Sequence, residues 1–170
     1  MHDSEHEFSS FEREEMPPLD MFEALADARG WQSDKVGEEE LTIDYKGSWT
    51  SYQMRLIARD EDPVMKLLVL PDLKSPADRR AELYETLALI NEQLWIGHFD
   101  IWSNNGVILF RHATTLPSSG MIGVEQAQTM IDAAIEECER FYPVFQFVLW
   151  GGKTPAEAIE SALIDTYGEA

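Results

Sequence analysis

Basic residues are scarce in this chain: 13 Lys and Arg stand against 32 Asp and Glu, a formal charge of −19 over 170 residues. Such a field repels phosphate backbones and anionic lipid, so neither nucleic acid nor a membrane surface is an expected partner. Cysteine is scarcer still, with Cys138 alone. One thiol can neither close an intramolecular disulfide nor complete a CxxC redox or zinc motif, which points to a reducing compartment, the cytoplasm. Long apolar runs are missing, and the acidic N-terminus lacks the basic-then-apolar pattern of an export signal. No GxSxG elbow, HExxH pair or EF-hand loop is found either. The stretch from Gly151 to Pro155, GGKTP, resembles a phosphate-binding loop only briefly. Its earlier glycine falls at Phe147, the preceding segment reads as helix, and Pro155 removes an N–H donor. Cys138 lies within a helical apolar stripe, the setting of a small buried hydrophobe rather than a nucleophile. No cofactor, metal site or catalytic residue is therefore expected.

What is present suits one packed domain. Apolar residues make up 44% of the chain and aromatics 11%, enough for a core without staples. Residues 1–16 are acidic and hold only two phenylalanines, and they read as a disordered acidic tail. From Pro17 onward the pattern becomes periodic, and residues 17–170 read as a single domain. Leu19, Phe22, Leu25 and Ala26 mark a helix that Gly30 stops. After a polar loop, Leu41, Ile43 and Tyr45 alternate as a strand, Gly47 and Ser48 turn, and Tyr52, Met54, Leu56 and Ala58 alternate as a second. The segment from Val64 to Leu70, VMKLLVL, is apolar on both faces apart from Lys66, as in a central strand or one with a covered second face. Ser75, Pro76 and Asp78 resemble a helix start before Leu83, Leu87, Ile90 and Leu94. The longest stripe runs from Val124 to Tyr142, with Pro143 placed to break or kink it. Thr154 and Glu157 form a capping box for a C-terminal helix, 154–168. The expectation is α+β: a five-stranded antiparallel sheet with helices on one face, in the order αβββαββα plus the C-terminal helix.

The most polar stretch lies between the second and third helices. Asn105 and Gly106 predict a two-residue hairpin turn, with both central residues at positive φ. Alternation then puts Phe99, Ile101, Ile108, Phe110 and His112 on one face, and His98, Asp100, Trp102, Leu109 and Arg111 on the other; moving the turn to Asn104 and Asn105 leaves these lists unchanged. Asp100 and Arg111 read as a cross-strand ion pair, structural like Asn105 and Gly106. His98 and His112 point apart and cannot share a metal. Trp102 and Leu109, with His98 beside them, are the candidate partner-binding residues, either open to solvent or covered by another segment such as the last helix.

Within Leu19 to Gly152, the residues Asn91, Gly97, Phe99, Phe110 and Arg111 carry a spacing that resembles the bacterial YbjN-domain family. The resemblance implies an αβββαββα domain similar in fold to class I type III secretion chaperones, which are small acidic cytoplasmic homodimers, and a family label of sensory transduction regulator. It implies no catalytic residues. Taken with the failed motifs, the expectation is a non-enzymatic, homodimeric regulator or chaperone-like adaptor that binds another protein or peptide, a basic segment being the sharper alternative. A small-ligand sensor or enzyme using His98, Asp100 and Arg111 is the rival, and a structural subunit of a hetero-complex is a third reading.

Overall fold

The computed structural model describes residues 14–167. These residues form four helices and eight strands. A two-residue strand β1 (Glu15–Met16) leads into helix α1 (Pro18–Ala28). Strands β2 (Gln32–Lys35), β3 (Glu40–Lys46), β4 (Ser51–Ala58) and β5 (Val64–Lys74) follow. A 3₁₀ turn at Ala77–Arg79 opens α2 (Arg80–Asn91). The hairpin β6 (His98–Ile101) and β7 (Val107–Thr115), the short β8 (Ile122–Gly123), α3 (Val124–Leu149) and α4 (Pro155–Tyr167) complete the chain. The main sheet has six strands in the order β2-β3-β4-β5-β7-β6, and β1 pairs with β8 in a separate ribbon. All pairs are antiparallel.

The sheet thus exceeds the expected five strands, and the added one is β2. Its sequence, QSDK, is polar on both faces and gives no alternation to detect. Its pairing comes from the neighbouring turn, where Gly37 takes φ 77° and Val36 N–H bonds Glu40 O. The acidic tail is also shorter than expected at its inner end, because Glu15 and Met16 pair with Gly123 and Ile122. The rest of that predicted tail, residues 1–13, lies outside the described residues.

The core lies between one sheet face and the helices. Leu41, Ile43, Met54, Leu56, Met65, Leu67, Ile108 and Phe110 are buried from the strands, against Phe22, Leu83, Ile90, Ile131, Phe141 and Phe145 from the helices. Phe99 sits at the centre of an edge-to-face cluster, with ring centroids 5.4 Å from Phe110, 6.0 Å from Phe141 and 5.4 Å from Phe145. Each such pair adds about 0.5–1.5 kcal/mol beyond its buried area. Cys138 belongs to this core, and burial pushes its thiol pKa up, so it behaves as a hydrophobe.

Pro143 does not end α3, which runs through it. A proline lacks the N–H that would bond the carbonyl four residues earlier, here Glu139. That freed carbonyl accepts the indole N–H of Trp49 at 3.2 Å, while the Glu139 carboxylate accepts Ser48 N–H at 3.1 Å. The β3–β4 turn is therefore seated on the helix where proline opens it. Gly47 makes the approach possible, since a Cβ there would stand 1.9 Å from Glu139 Oε1. Tyr52 lies beside the same carboxylate, and burial together with that charge raises its phenol pKa.

At the C-terminal helix the capping box forms as expected, with Glu157 N–H on Thr154 Oγ1 and Thr154 N–H on the Glu157 carboxylate. Ser75 does not cap α2. Its hydroxyl donates to Pro76 O, and Ser75 N–H bonds Gly106 O instead.

Candidate functional site

Because the helices bury one face of the sheet, the residues of opposite parity form a face without a helix on it among the described residues. Ile57, Val64, Leu68 and Leu70 stand there half-buried, with Ala113 exposed beside them. The face also carries Lys46, Arg55, Lys66, Lys74 and Arg111 among Asp34, Glu40, Asp44 and Asp100. It is close to neutral on a chain of charge −19. Arg55 is paired with Glu40 and Arg111 with Asp100.

Every candidate read from the hairpin keeps its predicted face, and the register is that of the alternative turn at Asn104 and Asn105, not of the turn at Asn105 and Gly106. The pairs are His98 with Arg111, Phe99 with Phe110, Asp100 with Leu109 and Ile101 with Ile108. Four residues, Ser103 to Gly106, form the loop, closed by Trp102 N–H on Val107 O and Gly106 N–H on Trp102 O. The two-residue turn centred on Asn105 and Gly106 is thus corrected. Gly106 does take φ 74°, whereas Asp72 is the one non-glycine at positive φ among the described residues, so Asn105 is not. Asn105 serves the loop through its side chain, accepting Val107 N–H at 3.0 Å. The loop departs from the predicted turn because it docks on α2: Arg80 donates to Ser103 O at 2.7 Å, and a Cβ on Gly106 would stand 2.4 Å from Ser75 O.

The Asp100–Arg111 pair is present at 3.0 Å, reached diagonally across the ladder. The other oxygen of Asp100 accepts Ile101 N–H at 2.8 Å, so this carboxylate is fully engaged. His98 is exposed and Trp102 half-buried. Leu109, expected with Trp102 as a contact residue, is completely buried and is corrected. It stands opposite a bulge in which Leu70, Pro71 and Asp72 face it alone, and Pro71 is buried as well. Sequence parity gave Leu109 its face but could not show the bulge. His112 is half-buried opposite Leu67, and burial lowers its pKa, with the His98 charge a lesser cause.

The residues behind the family resemblance gather at the β6 edge. The Asn91 amide takes both backbone groups of Phe99, donating to its O at 3.0 Å and accepting its N–H at 2.8 Å, and so occupies an edge that would otherwise recruit a strand. Gly97 takes φ 69°, and a Cβ there would stand 2.3 Å from the Phe110 ring.

A cleft of about 750 Å³ opens where β4 and β5 part. Tyr45, Lys46, Ser51, Leu70, Asp72 and Lys74 are among its lining, and His98, Asp100 and Arg111 are not. Among the described residues no cluster of three or more His, Cys, Asp or Glu is placed to hold a metal ion. No helix of the described residues is long and apolar enough to cross a membrane.

No curated protein matches the chain. Among solved structures it is similar to "Crystal structure of YbjN, a putative transcription regulator from E. coli", at a TM-score of 0.50 and 13% identity over 77% of this chain and 87% of that one, which speaks for the fold. The family model described as "Putative bacterial sensory transduction regulator" matches residues 18–147, more than half the chain and ending before α4. The chain belongs to the YbjN family.

Proposed function

We propose that this chain is a non-enzymatic regulator that acts by binding protein, first of all a second copy of itself, through the helix-free face of its sheet. The observation that carries the reading is the contrast in charge and apolarity: Ile57, Leu68 and Leu70 stand on a nearly neutral surface of a strongly acidic molecule. Like-charge repulsion between two copies is weakest when these faces meet, and stacked sheets pack about 10 Å apart with side chains interdigitating. The acidic excess resides on the remaining surface, which suits a soluble adaptor of the cytoplasm and gives basic segments of a client a second place to dock.

An enzymatic or small-ligand role for His98, Asp100 and Arg111 has less support. Asp100 is held by Arg111 and Ile101 N–H, and the large cleft does not include the three groups.

Sedimentation equilibrium tests the reading with Leu68→Glu and Ile57→Glu. Both positions are half-exposed, so the fold should persist, with an unchanged far-ultraviolet circular dichroism spectrum, while a wild-type dimer becomes monomer and loses only the stability that association adds. A wild-type chain that stays monomeric at about 0.1 mM, or variants that dimerise like wild type, would remove the support.

A further inference from the structure

The β4–β5 ladder stops short of both its strands. Its last pair is Gln53 with Leu70, yet β4 reaches back to Ser51 and β5 runs on to Lys74. Two features of β5 end the pairing. Pro71 has no N–H to give, and Asp72, at φ 57°, turns the chain so that β5 resumes pairing with β7 in a shifted register, Leu73 with Ile108.

Alternation identifies the backbone groups left over. Gly47 N–H bonds Thr50 O, and Ala58 N–H bonds Glu39 O, so even positions of β4 bond β3 and odd positions bond β5. Gln53 has its β5 partner. Ser51, the next odd position, turns its N–H and C=O toward the gap, and no residue of β5 pairs with it. This gap is the cleft of about 750 Å³, with Tyr45 and Leu70 on its walls and Lys46 and Lys74 at its rim beside Asp44 and Asp72. Among the described residues neither lysine enters an ion pair.

We propose that the cleft takes an extended peptide segment of a partner protein: its backbone pairs with Ser51, an apolar side chain lies against Leu70, and one carboxylate meets Lys46 or Lys74. An N–H and C=O at strand spacing beside an apolar hollow is the combination by which sheet edges read peptides, main chain for affinity and alternate side chains for selectivity. Asp44 and Asp72 exclude a run of acids, so the segment is apolar and polar in alternation with a single acid. The proposal rests on the reading of the chain as a protein-binding module but not on its dimerisation.

The test uses the full chain and the capped hexapeptide Thr-Val-Glu-Val-Thr-Val, titrated with amide NMR detection. Two N-methylated forms, blocked on one or the other backbone edge, accompany it. Saturable binding is expected, with shifts centred on Ser51 and Gln53, and one N-methylated form should bind about tenfold more weakly or worse while the other is unaffected. Ser51→Pro removes the N–H that faces the gap and leaves the bonds to β3, and Leu70→Asp spoils the wall; each should cost a similar factor. Equal binding by both N-methylated forms, or no saturation up to about 5 mM, overturns the proposal whatever the variants do to folding. Sedimentation on the same samples separates the two ideas, with Ile57→Glu, which lies outside the cleft lining, titrated alongside: no peptide binding by this monomeric variant sinks the cleft alone, and peptide binding by a wild-type chain that is monomeric sinks the face-to-face dimer alone.

Discussion

The β6 edge of the sheet and the open end of its central β4–β5 ladder are built on opposite principles. At β6 the edge is closed: Asn91 occupies the Phe99 backbone, Gly97 lets the Phe110 ring approach closely, and Phe99 is packed on three rings. At β4 and β5 the ladder is left open by Pro71 and Asp72, and a cleft stands where two more pairs would have formed. The residues that announce the family sit at the closed end and serve packing. A family signature of this kind identifies a scaffold, and the place to look for recognition is where the scaffold's regularity is broken.

The largest expected effect therefore lies at the closed end. Gly97→Val places a branched side chain at φ 69° and drives its Cβ to 2.3 Å from the Phe110 ring and 2.8 Å from Arg111 O. Left-handed backbone costs about 1–2 kcal/mol and overpacking about 1–3 more, so a loss of roughly 3 kcal/mol or more is expected in urea unfolding. A loss under about 1 kcal/mol would mean the closed end yields easily and the contrast fails. Asn91→Ala comes next, at about 2 kcal/mol, because it strands two backbone groups of Phe99. The matching substitution at the open end, Leu70→Ser, removes a half-exposed side chain from a cleft wall and should cost under about 1 kcal/mol.

A smaller effect belongs to the ion pair. Asp100 and Arg111 meet at 3.0 Å with both side chains well exposed, so a double-mutant cycle with Asp100→Asn and Arg111→Gln should give a coupling of about 0.2–1 kcal/mol. A coupling above about 2 kcal/mol would show that the hairpin depends on this pair rather than on Asn91 and the aromatic cluster.

Much of this was legible in periodicity, and the misses share one cause. Apolar alternation placed β3, β4, β5, β6 and β7, and the helical stripes placed the helices, because burial on one face writes itself into every second or every third and fourth residue. Strand β2 escaped because an edge strand held by a turn needs no buried face. The hairpin loop lengthened because Gly106 meets Ser75, a contact with a segment some thirty residues away that no local turn rule contains. Pro143 was readable as a flaw in α3 but its repair was not, since the indole of Trp49 arrives from the other side of the sheet's core. The burial of Leu109 followed from a bulge in a different strand. Parity survives all of these events, so the faces were right for either turn, and the partners are those of the turn at Asn104 and Asn105.

The slightest of the effects is a slope with pH, and it arises between the two ends, at His112 on central strand β7. Burial lowers its native pKa below the ordinary 6.5. Between the lowered native value and 6.5 the unfolded chain binds more protons than the folded one, so stability rises as pH rises through that window and falls away below it. Replacing His112 by Gln should flatten the melting temperature in the window just below pH 6.5 and leave it little changed above pH 7. Glu137 supplies the opposite sign, because burial raises its carboxyl above the ordinary 4.5 and stability then falls as pH rises through that lower window. The two contributions have opposite sign, so Glu137→Gln should steepen the rise of stability with pH just above 4.5 while His112→Gln flattens the rise just below 6.5. If both variants kept the wild-type profile, neither burial would be felt by folding, and the half-buried state of His112 between Leu67 and the hairpin would have no energetic consequence.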